Sequence, residues 1–213
     1  MVTDWCLQPG QVVRSPGSRS TRAYVGSWGD PASDVQGCHS RAPKFAIQTY
    51  AIANALRWDP AVIYTTQVSA TDAFLTLAKS SGGGDLVNRT FTVQYAKDPA
   101  NPAWDNDSAM KLYKTVMAKY RPGARVTDAL NYYGVAVAEA FVELMYKAGK
   151  NPTRASLMSA FRNWNELNPF LLPGNRQKTG GNDQLPIQCE RVIKYTDGTF
   201  VPVSKMKCAG AAT

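Results

Sequence analysis

A short apolar run, AVIYTT at residues 61–66, most constrains what this chain can fold into. Its length and its abrupt change to polar residues predict a buried strand. SATDAFLTLAK follows and predicts a short helix, with Ser69 or Thr71 as its N-cap. PKFAIQTYAIANALRW precedes it and predicts another helix, with Pro43 in the first turn. This helix–strand–helix order is typical of the α/β class.

The rest of the chain continues in mixed fashion. SSGGGD, at residues 80–85, is expected to be a flexible loop, and RTFTVQYA, at 89–96, alternates as a strand does. DSAMKLYKTVMAKY predicts a helix capped by Asp107 or Ser108. Its apolar face is expected to consist of Met110, Tyr113, Met117 and Tyr120.

The strongest helical pattern is TDALNYYGVAVAEAFVELMYKAGK, at residues 127–150, with Thr127 as the expected N-cap. Its predicted buried stripe is Leu130, Tyr133, Val137, Phe141, Leu144 and Ala148. TRASLMSAFRNW predicts a third helix of this region, capped by Thr153. A long loop should follow, and then a hairpin that turns at Asp197-Gly198.

The four cysteines, Cys6, Cys38, Cys189 and Cys208, form no CxxC motif. With His39 as the one histidine, a zinc site of ordinary spacing is not expected. Counting outward from the hairpin turn puts Cys189 opposite Met206 and diagonal to Cys208. Diagonal partners lie near the limit of disulfide reach, so we expect two free thiols, with a bridge as the alternative.

Composition excludes several classes of function. The chain has 213 residues, 44% of them hydrophobic, which suffices for a packed core. The net charge of +8 is scattered rather than clustered, so nucleic-acid binding is not expected. We find no membrane span and no signal peptide, and the chain as written would stay in the cytoplasm. No catalytic, metal-binding or cofactor-binding motif occurs, so we do not expect an enzyme.

The candidate site is the polar tip that follows the buried residues 61–64 of the predicted strand. It consists of Thr65, Thr66, Gln67, Val68 and Ser69. Ligands of open α/β sheets bind beyond the carboxyl ends of strands, and a helix begins directly after this tip. Hydroxyls, an amide and free backbone N–H groups would suit a carboxylate or another polar ligand. Alternatively, Ser69 and Thr71 only cap the helix, and the residues alone favour neither interpretation.

Several blocks together resemble one family. They are APKFAIQTYAIANALRWDPAVIYTTQVSA, YAKDPANPAWDND, DALNYYGVAVAEAFVELMYKAGKNPTRASLMSAF and YTDGTFVPV. Their order and spacing over residues 42–203 resemble the later half of the substrate-binding proteins of branched-chain amino-acid ABC transporters. The resemblance implies an incomplete periplasmic-binding-protein fold of the leucine-binding type, whose ligand lies between two lobes.

The resemblance also implies an organisation and partners. Residues 42–213 would be a partial domain, with residues 42–92 and about 186–203 in the second lobe. The helices of about 107–165 would belong to the first lobe. Family membership implies periplasmic location, a small amino acid or carboxylate ligand, ABC permease subunits as partners, and no covalent chemistry.

The chain departs from the family in three ways. Residues 1–41 are irregular, and we interpret them either as a flexible tail or as a non-native segment from a shifted reading frame. The opening lobe is absent, so we expect no tight ligand binding, exposed apolar helix faces and self-association. Residues 66–68 hold no carboxylate to meet a ligand's ammonium group, which leaves room for other small carboxylates. The alternative function is a stand-alone α/β interaction module without a small-molecule ligand.

Overall fold

The computed structural model describes residues 43–209. Residues 1–41, including Cys6, Cys38 and His39, therefore lie outside the described part, as does the interpretation given to them above. The described residues form a mixed α/β structure with five α-helices and a mixed sheet. They divide into two compact units, residues 43–93 with 192–204 and residues 94–191 with 205–209.

The helices and strands have the following bounds. The helices are α1 (Pro43–Ala55), α2 (Asp72–Ala78), α3 (Ser108–Tyr120), α4 (Ala129–Ala148) and α5 (Arg154–Arg162). The strands are β1 (Ile63–Tyr64), β2 (Thr90–Gln94), β3 (Asn165–Leu167), β4 (Arg176–Lys178), β5 (Cys189–Thr196), β6 (Thr199–Pro202) and β7 (Lys207–Cys208). The five-stranded sheet has the order β1-β2-β5-β6, and β7 pairs with β5. β3 and β4 form a separate antiparallel pair, of which β4 lies inside the stretch of residues 168–186 that was expected to be a long loop.

The first unit packs α1 and α2 against the sheet. Its core contains Tyr50, Ala53, Ile63, Leu75, Ala78, Leu86, Val87 and Tyr195. The hydroxyl of Tyr50 lies 2.5 Å from Oγ1 of Thr90, and both residues are buried. Burial raises the pKa of Tyr50 to about 12, although the hydrogen bond with Thr90 acts in the opposite direction. This neutral pair therefore joins α1 to β2 inside the core.

The segment SSGGGD, expected to be a flexible loop, folds as a kinked series of tight turns with non-helical backbone at Ser81 and Gly82. A π-helical turn spans Lys79–Gly83, and a 3₁₀ helix spans Gly84–Arg89. A Cβ atom on Gly83 would lie 2.7 Å from the carbonyl oxygen of Ala78 and 2.7 Å from Cβ of Tyr50. Glycine is needed there because the backbone passes so close to α1 and α2.

The second unit contains α3, α4 and α5. One cluster joins α3, α4 and Phe170, and a smaller one surrounds Trp164. On α3, Met110, Tyr113 and Met117 are buried as predicted, whereas Tyr120 is exposed. The N-caps of α3 and α5 are Asp107 and Thr153, in agreement with the sequence.

The predicted orientation of α4 is largely wrong. Its buried residues are Tyr132, Ala136, Ala140 and Leu144. Of the predicted stripe, only Leu144 is buried, while Leu130, Tyr133, Val137 and Phe141 are exposed. The helix is apolar on nearly all sides, and two small alanines pack on the core together with Tyr132 and Leu144. Asp128, not Thr127, is the N-cap, because its side chain accepts a hydrogen bond from the Leu130 N–H.

The expectation of free thiols at Cys189 and Cys208 is also wrong. The two residues pair directly across β5 and β7 and form a disulfide. Near the hairpin turn, Ile193 pairs with Pro202, a register that would place Met206 opposite Cys189. A bulge after β6 shifts this register by two residues, because the N–H groups of Val203 and Ser204 both donate to the Val192 carbonyl oxygen. Cys208 is thereby brought opposite Cys189.

Candidate ligand-binding site

The candidate tip follows the end of a strand that is paired in parallel. Ile63 pairs with Thr90 and Tyr64 with Phe91, and the strand β1 is only two residues long. The N–H of Thr65 donates to the carbonyl oxygen of Phe91 over 3.0 Å and extends the ladder by one bond. The tip thus lies at the carboxyl end of β1, where the sequence predicts it.

Residues Gln67–Ser69 form a 3₁₀ helix that turns the chain from β1 toward α2. The N–H groups of Ser69 and Ala70 donate to the carbonyl oxygen of Thr66 over 3.0 and 3.1 Å. These two donors are therefore engaged within the turn and are not the free backbone N–H groups that the sequence suggested. Side chains rather than these amides must supply the chemistry of the tip.

The five predicted residues differ in their exposure. Thr65 and Ser69 are both 1% exposed, whereas Val68 is 55% exposed. Thr66 is half-buried, and its hydroxyl donates to Oγ of Ser69 over 3.4 Å. The structure thus brings the hydroxyls of Thr66 and Ser69 together and turns Val68 outward.

Gln67 has a distinctive environment within the tip. The residue is half-buried, and its Oε1 atom is inaccessible to water and lacks a hydrogen-bond partner among the described residues. A buried acceptor without a donor costs on the order of 1–3 kcal/mol. A ligand with an N–H or O–H group would remove that cost if the half-buried Gln67 side chain turned its Oε1 outward to accept from it.

Thr71 and not Ser69 caps α2. Its Oγ1 accepts a hydrogen bond from the Phe74 N–H over 3.3 Å. The capping interpretation therefore applies to Thr71 alone, and it leaves Ser69 to the tip.

Asp72 is a carboxylate close in sequence to the tip but outside residues 66–68, the segment in which the sequence predicts none. It opens α2 three positions after Ser69 and is half-buried. The hydroxyl of Tyr195 donates to its Oδ1 over 3.3 Å, and that of Thr76 over 3.5 Å. Burial raises the pKa of Tyr195, so this hydroxyl stays protonated as the donor. The position of Asp72 directly after an N-cap threonine was the signal that could have identified it.

Neither a cluster of metal-ligating side chains nor a membrane-spanning helix occurs among the described residues. No group of three His, Cys, Asp or Glu side chains in residues 43–209 is arranged to hold a metal ion. Within the same range, no helix is both long and apolar enough to cross a membrane.

Comparison with known proteins identifies the class of molecule. The sequence pattern of the periplasmic binding protein family matches residues 51–199, more than half of the chain. The chain belongs to the periplasmic binding protein family, which is a family of binding proteins rather than enzymes. Among curated proteins, none matches this sequence.

Solved structures show the same fold. A branched-chain amino-acid ABC transporter protein from Thermus thermophilus with bound valine matches with a TM-score of 0.59 at 15% identity, covering 82% of this chain and 46% of its own. A fatty acid ABC transporter substrate-binding protein from Thermomonospora curvata gives 0.59 at 18%, covering 83% and 43%. A leucine-binding protein from Thermotoga maritima gives 0.57 at 15%, covering 83% and 45%. This chain therefore spans less than half the length of these structures.

Proposed function

We propose that this chain is the later part of the solute-binding component of an ABC transporter, and that Thr65–Ser69 form one wall of its ligand site. One observation carries the proposal. The tip lies at the carboxyl end of a parallel-paired strand, and it combines the Thr66 and Ser69 hydroxyls with the Gln67 carboxamide. Such an edge is where open α/β sheets hold their ligands.

The proposed ligands are branched-chain amino acids or related small carboxylates. Support comes from two of the matched structures, of which one holds valine and one is a leucine-binding protein. The unpartnered Oε1 of Gln67 suits a ligand's ammonium or amide donor once the side chain turns toward the ligand. Asp72 adds a nearby negative charge, which favours a ligand that carries a cationic group.

The proposed organisation assigns residues 42–92 and about 186–203 to the second lobe and the helices of about 107–165 to the first. The separation of residues 43–93 and 192–204 into one compact unit supports it. Because the chain covers 43–46% of the matched structures, the facing wall of the ligand site would come from sequence that this chain does not contain. The proposed partners are the permease subunits of the transporter.

The proposed compartment is the periplasm. The disulfide between Cys189 and Cys208 supports it, because disulfides persist in oxidising compartments and are rare in the cytosol.

Titration of the ¹⁵N-labelled 213-residue chain with leucine and with its deaminated analogue 4-methylpentanoate tests the ligand site. We expect amide shifts confined to residues 65–72, with a dissociation constant on the order of 1 mM because only one wall is present. The Gln67→Ala variant should lose these shifts, since it lacks the carboxamide. Exposed Gln184, in the other unit, provides the matched control, and Gln184→Ala should titrate as the unchanged chain does.

Two outcomes would refute this assignment. Shifts that map outside residues 65–72 would place the ligand elsewhere. Submicromolar binding would show that this chain contains a complete site rather than one wall of it. A comparison of leucine with 4-methylpentanoate tests the ligand's ammonium group separately, because Gln67 and Asp72 both favour the amino acid.

A stand-alone interaction module remains the second candidate, and one observation favours it. The row Leu130, Tyr133, Val137 and Phe141 on α4 is exposed, as a surface that contacts another protein would be.

A further inference from the structure

The exposed side chains of α4 between residues 130 and 146 are all uncharged, while Glu139 and Glu143 lie half-buried beside them. The exposed residues are Leu130, Tyr133, Gly134, Val137, Ala138, Phe141, Val142 and Tyr146, which we call the α4 face. At 1.5 Å per residue this face is about 24 Å long. Tyr133 and Phe141 are each 52% exposed, and Tyr146 is 79% exposed. A continuous apolar surface of this length on a helix is typical of an interface.

We propose that two copies of this chain pair through their α4 faces, antiparallel, about a twofold axis that passes between Val137 and Ala138. This pairing goes beyond the proposed transport function and concerns the 213-residue chain itself. A twofold interface requires one surface patch to be complementary to itself. The α4 face meets this requirement in position and size.

The α4 face is complementary to itself in size. In an antiparallel pair, residues equally far from the axis along the helix lie level with each other. Phe141 of one copy then lies level with Gly134 of the other, and Tyr133 with Val142. A Cβ atom on Gly134 would meet nothing within 4 Å, so this glycine leaves a hollow in the α4 face. The bulky ring of Phe141 fills that hollow and allows the two helices to approach closely.

The helix ends are complementary in their dipoles. An antiparallel pair brings each α4 N-terminus, which Asp128 caps, level with the C-terminus of the other copy. Lys147 lies in the last turn but on the core side of α4, seven residues after buried Ala140, and its Nζ lies 2.5 Å from Glu166. The helix dipoles, rather than an ion pair between the copies, therefore favour the antiparallel arrangement.

The area is adequate for a weak dimer. The exposed side chains of the α4 face offer on the order of 600 Å² per copy, against about 800 Å² per partner in a standard interface. Self-association in the micromolar range is therefore the expected strength.

Light scattering after size exclusion tests the pairing. The full chain with Cys6→Ser and Cys38→Ser leaves the Cys189–Cys208 disulfide as its sole cysteine pair. We expect a concentration-dependent mass that rises to twice that of one chain. Phe141→Glu should give monomer at every concentration. Leu112→Glu, on α3 at 47% exposure, provides the matched control and should still pair.

Variants that exchange large and small residues across the pair distinguish this geometry from nonspecific association. Gly134→Leu fills the hollow and should abolish the dimer, and addition of Phe141→Ala to the same chain should restore it. Ala138→Cys, next to the axis, should crosslink with its own counterpart through a short bismaleimide, whereas Leu130→Cys should not. Circular dichroism checks that each variant keeps its helices.

The proposal is overturned by any of three results. The first is a chain that stays monomeric at all concentrations. This includes a monomer whose Ala138→Cys thiol resists alkylation because residues 1–42 cover the α4 face. The second is aggregates that Phe141→Glu does not dissolve. The third is a dimer in which Gly134→Leu has no effect or Leu130→Cys crosslinks as well as Ala138→Cys.

Discussion

Cys189 on β5 and Cys208 on β7 lie directly opposite each other and form a disulfide with their Cα atoms 4.0 Å apart. Cys189 is buried, while Cys208 is exposed. The bridge encloses the β5–β6 hairpin in a covalent loop whose ends are 19 residues apart. The hairpin and the two-residue strand β7 are therefore constrained together.

Removal of this bridge should destabilise the chain by about 3 kcal/mol, because closing a loop of this size restricts the unfolded state by that amount. Urea unfolding of the Cys6→Ser/Cys38→Ser chain, with and without a phosphine reductant, measures the effect. A Cys189→Ala/Cys208→Ala variant should unfold near the reduced midpoint and should not respond to the reductant. Equal midpoints for the oxidised and reduced chains would contradict this prediction.

Loss of the Lys97–Asp107 ion pair should cost about 2–3 kcal/mol. Lys97 is 8% exposed, and its Nζ lies 2.6 Å from Oδ2 of Asp107 and 2.7 Å from the Pro169 carbonyl oxygen. Asp107→Asn keeps the helix-capping oxygen but removes the charge opposite a buried ammonium. Asp105→Asn breaks the exposed pair with Lys114 and should cost less than about 1 kcal/mol. Thermal or urea unfolding at pH 7 compares the two variants.

The same pair predicts a dependence of stability on acid. Partial burial acts to raise the pKa of Asp107, but hydrogen bonds from Lys97 and from the N–H groups of Met110 and Ala109 lower it overall. Because the folded pKa lies below the unfolded value of about 3.9, the contribution is present above that value and lost as pH falls through the folded pKa. The unfolding free energy of the unchanged chain should therefore fall more steeply below about pH 4 than that of Asp107→Asn. Identical acid slopes would exclude this role.

Tyr50 and Thr90 should show strong coupling in a double-mutant cycle. Tyr50→Phe leaves the buried hydroxyl of Thr90 without its partner, and Thr90→Val does the same to Tyr50. Each single change should cost on the order of 1–3 kcal/mol, whereas the double variant should cost clearly less than the sum, because neither unpaired group remains. Urea unfolding of the four proteins gives the coupling energy, and additive effects would show that the contact is unimportant.

The start of α4 can be tested by comparing its two candidate caps. Asp128→Ala should destabilise the chain by about 1 kcal/mol, since the Leu130 N–H loses its acceptor. Thr127→Ala removes a hydroxyl that accepts only from the exposed Arg125 side chain and should change stability by less than about 0.5 kcal/mol. A larger loss for Thr127→Ala would restore the boundary that the sequence favoured.

The sequence was sufficient for the kinds and order of the main elements, because capping residues mark their beginnings. Thr71, Asp107 and Thr153 each start a helix where polar side chains precede an apolar run. The apolar pattern of the sequence could not predict which face of α4 is buried, since bulky and small apolar residues cover both of its faces. Its packing partners, which the sequence does not specify locally, decide which face is buried.

For the candidate site, the strand-end rule located Thr65–Ser69, but it could not assign hydrogen bonds. The Ser69 N–H donates within a 3₁₀ turn, which depends on local turn geometry. The hydrogen bond from Tyr195 to Asp72 joins residues that are far apart in the chain. The Cys189–Cys208 pairing was misjudged for a related reason, because Pro202, which directly precedes the bulge, marks the end of a strand as readily as a change of register.

The bulge after β6 restricts how many residues can separate the two cysteines while their side chains still meet. Successive side chains of a strand point to opposite faces, so adding or removing one residue between Pro202 and Lys207 would turn Cys208 away from Cys189. Removing two would only straighten the ladder and keep the two sulfur atoms on one face. Among related sequences, length changes in this short segment should therefore occur in even steps wherever both cysteines are kept.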